Sequence, residues 1–82
     1  MNLVELTEFL VKSVVKNPDL VSVKRYDDSE NVISLEVLAS KDDMSYLIGR
    51  QGMIAQAIRT IVIAASCTEE DRKKINITFD SF

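Results

Sequence analysis

Glycine occurs only twice in these 82 residues, and both copies fall in one short stretch, Leu47-Ile48-Gly49-Arg50-Gln51-Gly52. Without a Cβ, glycine reaches backbone angles closed to other residues and lets another molecule approach the main chain. The chain's sharpest break is therefore expected at this G-x-x-G. Alone, the pattern is weak, because two glycines can equally serve as left-handed caps in a tight helix–helix turn that binds nothing. Its surroundings decide what it means.

Upstream, residues 3–16 read as a helix. Asn2 can cap it, with Glu5 three positions on in capping-box spacing. Leu3, Leu6, Leu10 and Val14, joined by Phe9, form the stripe expected to be buried. Asn17-Pro18 ends the helix. Residues 20–26 and 32–39 read as strands, joined as a hairpin by the polar turn 27–31. In the second, Ile33, Leu35, Val37 and Ala39 alternate with Ser34, Glu36 and Leu38, giving one apolar face. Ser40, with Asp43 three positions later, caps a short helix that runs through Ile48.

Beyond the glycine break a longer helix reaches about Cys67, and residues 68–73 form a charged loop. Residues 74–79 are the last strand, burying Ile75, Ile77 and Phe79. The order α-β-β-α-α-β predicts an α+β fold with its helices on one face of a three-stranded sheet. Neither a repeat nor a linker interrupts it, so residues 1–82 are expected to form a single domain.

The loop suits a polyanion's backbone. It opens the longer helix, whose unpaired N–H groups and positive dipole end favour an anion. Arg50 adds a charged donor and Gln51 a neutral one, while Ile48 offers apolar surface to a base. Charge opposes this reading. Ten Lys and Arg against thirteen Asp and Glu give a net −3, whereas nucleic-acid binders usually lean basic. Yet residues 44–68 contain no acid and carry Arg50 and Arg59. A weak local positive field survives, and it predicts modest, salt-sensitive affinity.

Other classes fall away. With no histidine, general acid–base chemistry would rest on carboxylates and lysines scattered over turns and helix ends. No metal-ligand spacing occurs, so neither catalytic residues, metal nor cofactor is expected, and no small-molecule substrate. At 6% aromatic, the chain is poor in the rings that RRM and OB domains stack against bases. The apolar run 61–65 is too short to cross a bilayer. The first residues do not read as a signal peptide, and a lone Cys67 suits a reducing compartment, so a cytoplasmic location is expected.

From Leu47 through Gly52, with Ala55 and Ile58 following, the sequence is similar to the KH signature, and residues 48–60 look closely like the small bacterial KH proteins of the KhpA (YlqC) family. The resemblance spans essentially the whole chain. It implies a type II KH fold, α-β-β-α-α-β, with three helices on one face of a three-stranded sheet. It implies recognition of about four nucleotides of single-stranded RNA or DNA, in post-transcriptional regulation or as an RNA chaperone. Carried over position by position, Gly49, Arg50, Gln51 and Gly52 clamp the backbone. Ile48, Ala55 and residues 32–38, taken as an edge strand, line the base groove beside the variable turn 27–31. The chain departs from the family where a basic residue often follows the second glycine: here it is Met53.

The longer helix raises a second expectation. Between Gly52 and Ser66 its only charge is Arg59, and apolar side chains occupy nearly every side. A helix with one wet face should show a polar stripe. Ile58, Ile61, Val62 and Ile63 are therefore candidates for a dimer interface, and the family resemblance implies pairing with a second copy or with another KH protein. The rival to RNA binding is a protein-interaction module that uses this face alone.

Overall fold

The computed structural model describes residues 2–29, 31–69 and 74–82, with the side chains of Asp28, Ser29, Arg50, Cys67, Thr68 and Glu69 excepted. Helix α1 (Leu3–Val14) and a short 3-10 turn at Pro18–Leu20 lead into β1 (Ser22–Ser29) and β2 (Val32–Ala39). The helical span α2 (Lys41–Glu69) and β3 (Lys74–Ser81) complete the order. The expected loop 68–73 lies mostly outside the described residues.

Both caps read from the sequence are made. Asn2 Oδ1 accepts the Glu5 N–H at 2.8 Å, and Ser40 Oγ accepts the Asp43 N–H at 3.2 Å. The buried stripe of α1 is shifted from the expected one: Leu3, Thr7 and Val11 are buried, Leu6 and Leu10 pack partly buried against the core, and Phe9 and Val14 stay exposed. Thr7 can face the core because its hydroxyl donates to the Leu3 carbonyl at 2.7 Å, leaving only its methyl to pack.

The sheet order is β1-β2-β3, antiparallel between β1 and β2 and parallel between β2 and β3. The N–H of Lys74 donates to the Asn31 carbonyl at 2.8 Å, and that of Phe82 to the Ala39 carbonyl at 3.2 Å, so the parallel pair is closed at both ends. Val32–Ala39 is thus the central strand, which corrects the expectation of an edge. The hairpin and the helical crossover both use it, so hydrogen-bonded neighbours flank it on each side. Its Ile33, Leu35, Val37 and Ala39 are fully buried. They meet Leu3 and Val11 of α1, Val23 of β1, Met44, Leu47, Ile58 and Val62 of α2, and Ile75 and Ile77 of β3 in one core. Among the described residues, the opposite face of the sheet, with Lys24 in register with Glu36, carries no helix.

The span α2 cannot be straight. At about 1.5 Å per residue, 29 helical residues would reach roughly 43 Å, yet the longest axis of the molecule is 34 Å. The bend falls at Gln51 and Gly52, whose φ values of 65° and 71° are the positive ones among the described residues. Two successive left-handed residues redirect the axis and divide α2 into arms 41–50 and 53–69. The expected short helix, glycine break and long helix are there, with the break confined to the second half of the G-x-x-G.

One buried charge ties the first arm to the rest. Asp43 is 3% exposed, and its two carboxylate oxygens accept the backbone N–H groups of Lys16 and Asn17, each at 3.0 Å. Burial pushes this carboxyl up, but the hydrogen bonds from Lys16, Asn17 and Ser40 together outweigh it and hold it below its ordinary value. The N-terminal end of α2 is thereby pinned to the turn that follows α1.

Candidate nucleic-acid interface

The aliphatic pair before the first glycine divides its work. Leu47 is fully buried and anchors the first arm, whereas Ile48, one residue and about 100° further round, is 48% exposed. Gly49 keeps right-handed helical backbone, and a Cβ built on it would meet nothing within 4 Å. No contact within the chain therefore requires glycine there, although glycine in a helix costs about 1 kcal/mol relative to alanine. Gly52 is needed for the chain itself, since its positive φ is strained for any other residue. Gln51 holds the same left-handed geometry with a side chain and is exposed. Non-glycine residues pay roughly 1–2 kcal/mol for it, and such strain clusters at functional sites.

Two clefts flank the first arm and meet at its outer ridge. One, of about 450 Å³, is lined by Lys41, Met44, Ser45, Ile48, Gly49 and Ser81. It runs between the arm and the C-terminal end of β3, which takes the place expected for residues 32–38. The other, of about 640 Å³, is lined by Ser45, Tyr46, Gly49, Met53 and Ile54 and lies between the two arms. Ser45 and Gly49 line both. Lys41, Ser45, Ser81 and Tyr46 were not singled out as site residues from the sequence. The helical spacing of 41, 45, 48 and 49 from a known loop residue is the signal that finds the first two.

Of the other candidates, Ala55 is buried, at 2% exposure. The side chain of Arg50 lies outside the described ones. Arg59 binds within the fold: its Nε donates to the Ile77 carbonyl at 3.2 Å, and its guanidinium lies 5.0 Å from the centre of the Phe79 ring. The structure also divides the candidate interface set. Ile58 and Val62, at 4% and 0% exposure, belong to this chain's own core, while Ile61 and Ile63, at 47% and 44%, face outward. Among the described residues no cluster of His, Cys, Asp and Glu could hold a metal ion, and no helix is long and apolar enough to cross a membrane.

A three-stranded mixed sheet with helices on one face, and a glycine turn joining two helical arms beside an aliphatic cleft, defines a KH-type domain. The model of the family described as "KhpA/KhpB, KH domain" matches residues 4–78, and the chain belongs to that family. It is 41% identical over 73 residues to the RNA-binding protein KhpA of Caldanaerobacter subterraneus subsp. tengcongensis, covering 89% of this chain and 96% of that one. It is 42% identical to that of Clostridium perfringens over the same shares. With that of Borreliella burgdorferi it shares 38% over 76 residues, 93% of this chain and 92% of the relative. These relatives are named for binding, and the family is not one of enzymes. No solved structure matches the chain.

Proposed function

We propose that this chain binds single-stranded RNA, holding about four nucleotides across the turn Gly49-Arg50-Gln51-Gly52, and serves as a post-transcriptional regulator or RNA chaperone in the cytoplasm. The observation that carries the reading is the open space over Gly49 next to the paired left-handed residues. A phosphate can approach the main chain where a Cβ is absent and nothing else fills the gap. Arg50 supplies the charge, Gln51 and the first N–H groups of the second arm supply donors, and Ile48 offers the apolar wall of the cleft. The relatives' names point the same way.

The exposed Ile61 and Ile63 favour a dimer, with a second copy or another KH protein, through the outer side of the second arm. A single groove reading so few bases has little selectivity, and pairing two grooves multiplies affinity without new contacts. The reading in which this face is the whole function, without RNA, makes the loop dispensable.

A salt titration of binding to a short single-stranded RNA tests the proposal. Wild-type affinity should fall with a slope of about −0.7 per phosphate contacted, and the Arg50→Asp/Gln51→Asp variant should lose binding with its thermal stability nearly unchanged. Binding that persists in the variant removes the loop from the site.

A further inference from the structure

The cleft between the two arms is not needed to hold a strand on the Ile48 side, yet it shares Ser45 and Gly49 with the cleft that is. Those two residues form a low ridge, one with a single hydroxymethyl group and one with no side chain. A strand that crosses the main chain at Gly49 can therefore drop a nucleotide to either side. On the far side stand Tyr46, 56% exposed, and Met53, 67% exposed. From sequence, Tyr46 reads as a half-buried packing residue more than as a base-stacking platform, and at 56% exposure it is about half buried, at the edge of the cleft. Among the described residues, the Tyr46 hydroxyl has no hydrogen-bond partner, so no polar contact within the fold ties the ring's tip down.

We infer that Tyr46 is a base-stacking platform: a nucleobase of the strand held by the glycine turn lies on its ring, with Met53 closing the cleft beside it. The inference rests on the loop reading above and extends it by one nucleotide, to a position on the opposite flank of the first arm. The occupant is a base rather than a peptide side chain because the cleft is continuous, across Gly49, with the surface proposed to hold the sugar–phosphate backbone. A ring and a thioether also supply a flat, polarizable surface without a fixed pattern of donors. Stacking of this kind tolerates any base, so the platform adds affinity and footprint length rather than sequence preference.

The test uses the whole chain and an eight-nucleotide single-stranded RNA of mixed sequence. Tyr46→Ala should bind it roughly 5- to 150-fold more weakly than wild type, the range carried by one stacked base, while Tyr46→Phe binds as wild type. Exposure of Tyr46 predicts an unchanged melting curve for both. The chain has two tyrosines and no tryptophan, so in Tyr26→Phe the tyrosine emission comes from Tyr46 alone, and RNA should quench it. Equal affinity in wild type and Tyr46→Ala, with no quenching, overturns the platform while binding lost in Arg50→Asp/Gln51→Asp leaves the loop standing. Absence of any wild-type binding at low salt removes both. If Tyr46→Ala keeps RNA affinity and loses self-association, the cleft is a protein contact and the platform is wrong.

Discussion

The Arg59 guanidinium caps the free edge of the sheet, donating from Nε to the Ile77 carbonyl at 3.2 Å while lying 5.0 Å from the ring centre of Phe79. β3 is an edge strand in parallel pairing with β2 alone, and unpaired edge groups invite association with other chains. Arg59 crosses from the second arm to satisfy one of them and to cover the ring beside it. Its half-buried place makes it a clamp between α2 and β3 instead of a phosphate ligand. Arg59→Ala should cost about 2–4 kcal/mol, the sum expected for a charged hydrogen bond and a ring contact, read as a lower urea midpoint. RNA affinity should change little. Arg59→Lys should recover only part of the loss, because an ammonium cannot present the same planar donor.

The two glycines should respond oppositely to the same change. Gly52→Ala forces a side chain into φ of 71° and should lose about 1 kcal/mol or more. Gly49→Ala meets open space in a helical backbone and should gain up to about 1 kcal/mol. It should also weaken RNA binding, since the added methyl group stands where a phosphate approaches. Chemical denaturation and RNA titration on the two variants check both halves. A Gly49→Ala chain that is more stable and binds equally well would remove the close approach from the mechanism.

Asp43 makes stability depend on pH in a defined direction. Its folded carboxyl sits below the ordinary value of 3.8, so the unfolded chain takes up the proton first as pH falls. The stabilisation is complete above the ordinary carboxylate range and is lost as pH drops through the folded value. Melting temperature should hold steady from neutral pH down to that range, then fall. Asp43→Ala, which leaves the N–H groups of Lys16 and Asn17 unpaired, should melt several degrees lower at neutral pH and lose this part of the acid slope. An unchanged slope would mean other carboxylates carry it.

Much of this architecture is written in local pattern. The Asn2 and Ser40 caps, the alternation of Ile33, Leu35, Val37 and Ala39, and the break at the G-x-x-G depend on a few adjacent residues, and each is made as the spacing implies. The central place of β2 was not legible: a helical crossover can return a strand beside either member of a hairpin, and only the parallel pairing with β3 puts β2 in the middle. Three features depend on which neighbours claim the core, two of them within one helix and one across the chain. Thr7 turns inward because Leu3 takes its hydroxyl, while Leu6 and Leu10 pack partly buried at the core's rim and Phe9 stays exposed. Arg59 finds a strand carbonyl 18 positions away. Tyr46 is left outside because Asp43, Met44 and Leu47 take the inward side of the same arm.

The second arm gives the sharpest contrast between neighbours. Ala55, Ile58, Val62 and Ser66 recur at spacings of three and four and are buried, while Ile61 and Ile63 on either side of Val62 are nearly half exposed. An aspartate at 61 therefore meets water in the isolated chain, and one at 62 meets the core. Val62→Asp should abolish folding, because an unpaired buried charge exceeds what a domain of this size can absorb. Ile61→Asp should keep the circular dichroism and melting of a folded chain. If two copies pair through this face, Ile61→Asp places like charges against each other at the contact and should release monomer at concentrations where the wild type is dimeric, as sedimentation would report. A wild type that sediments as monomer at high micromolar concentration would leave Ile61 and Ile63 to a different KH protein, and would make the single groove, not a pair, the unit that meets RNA in the isolated protein.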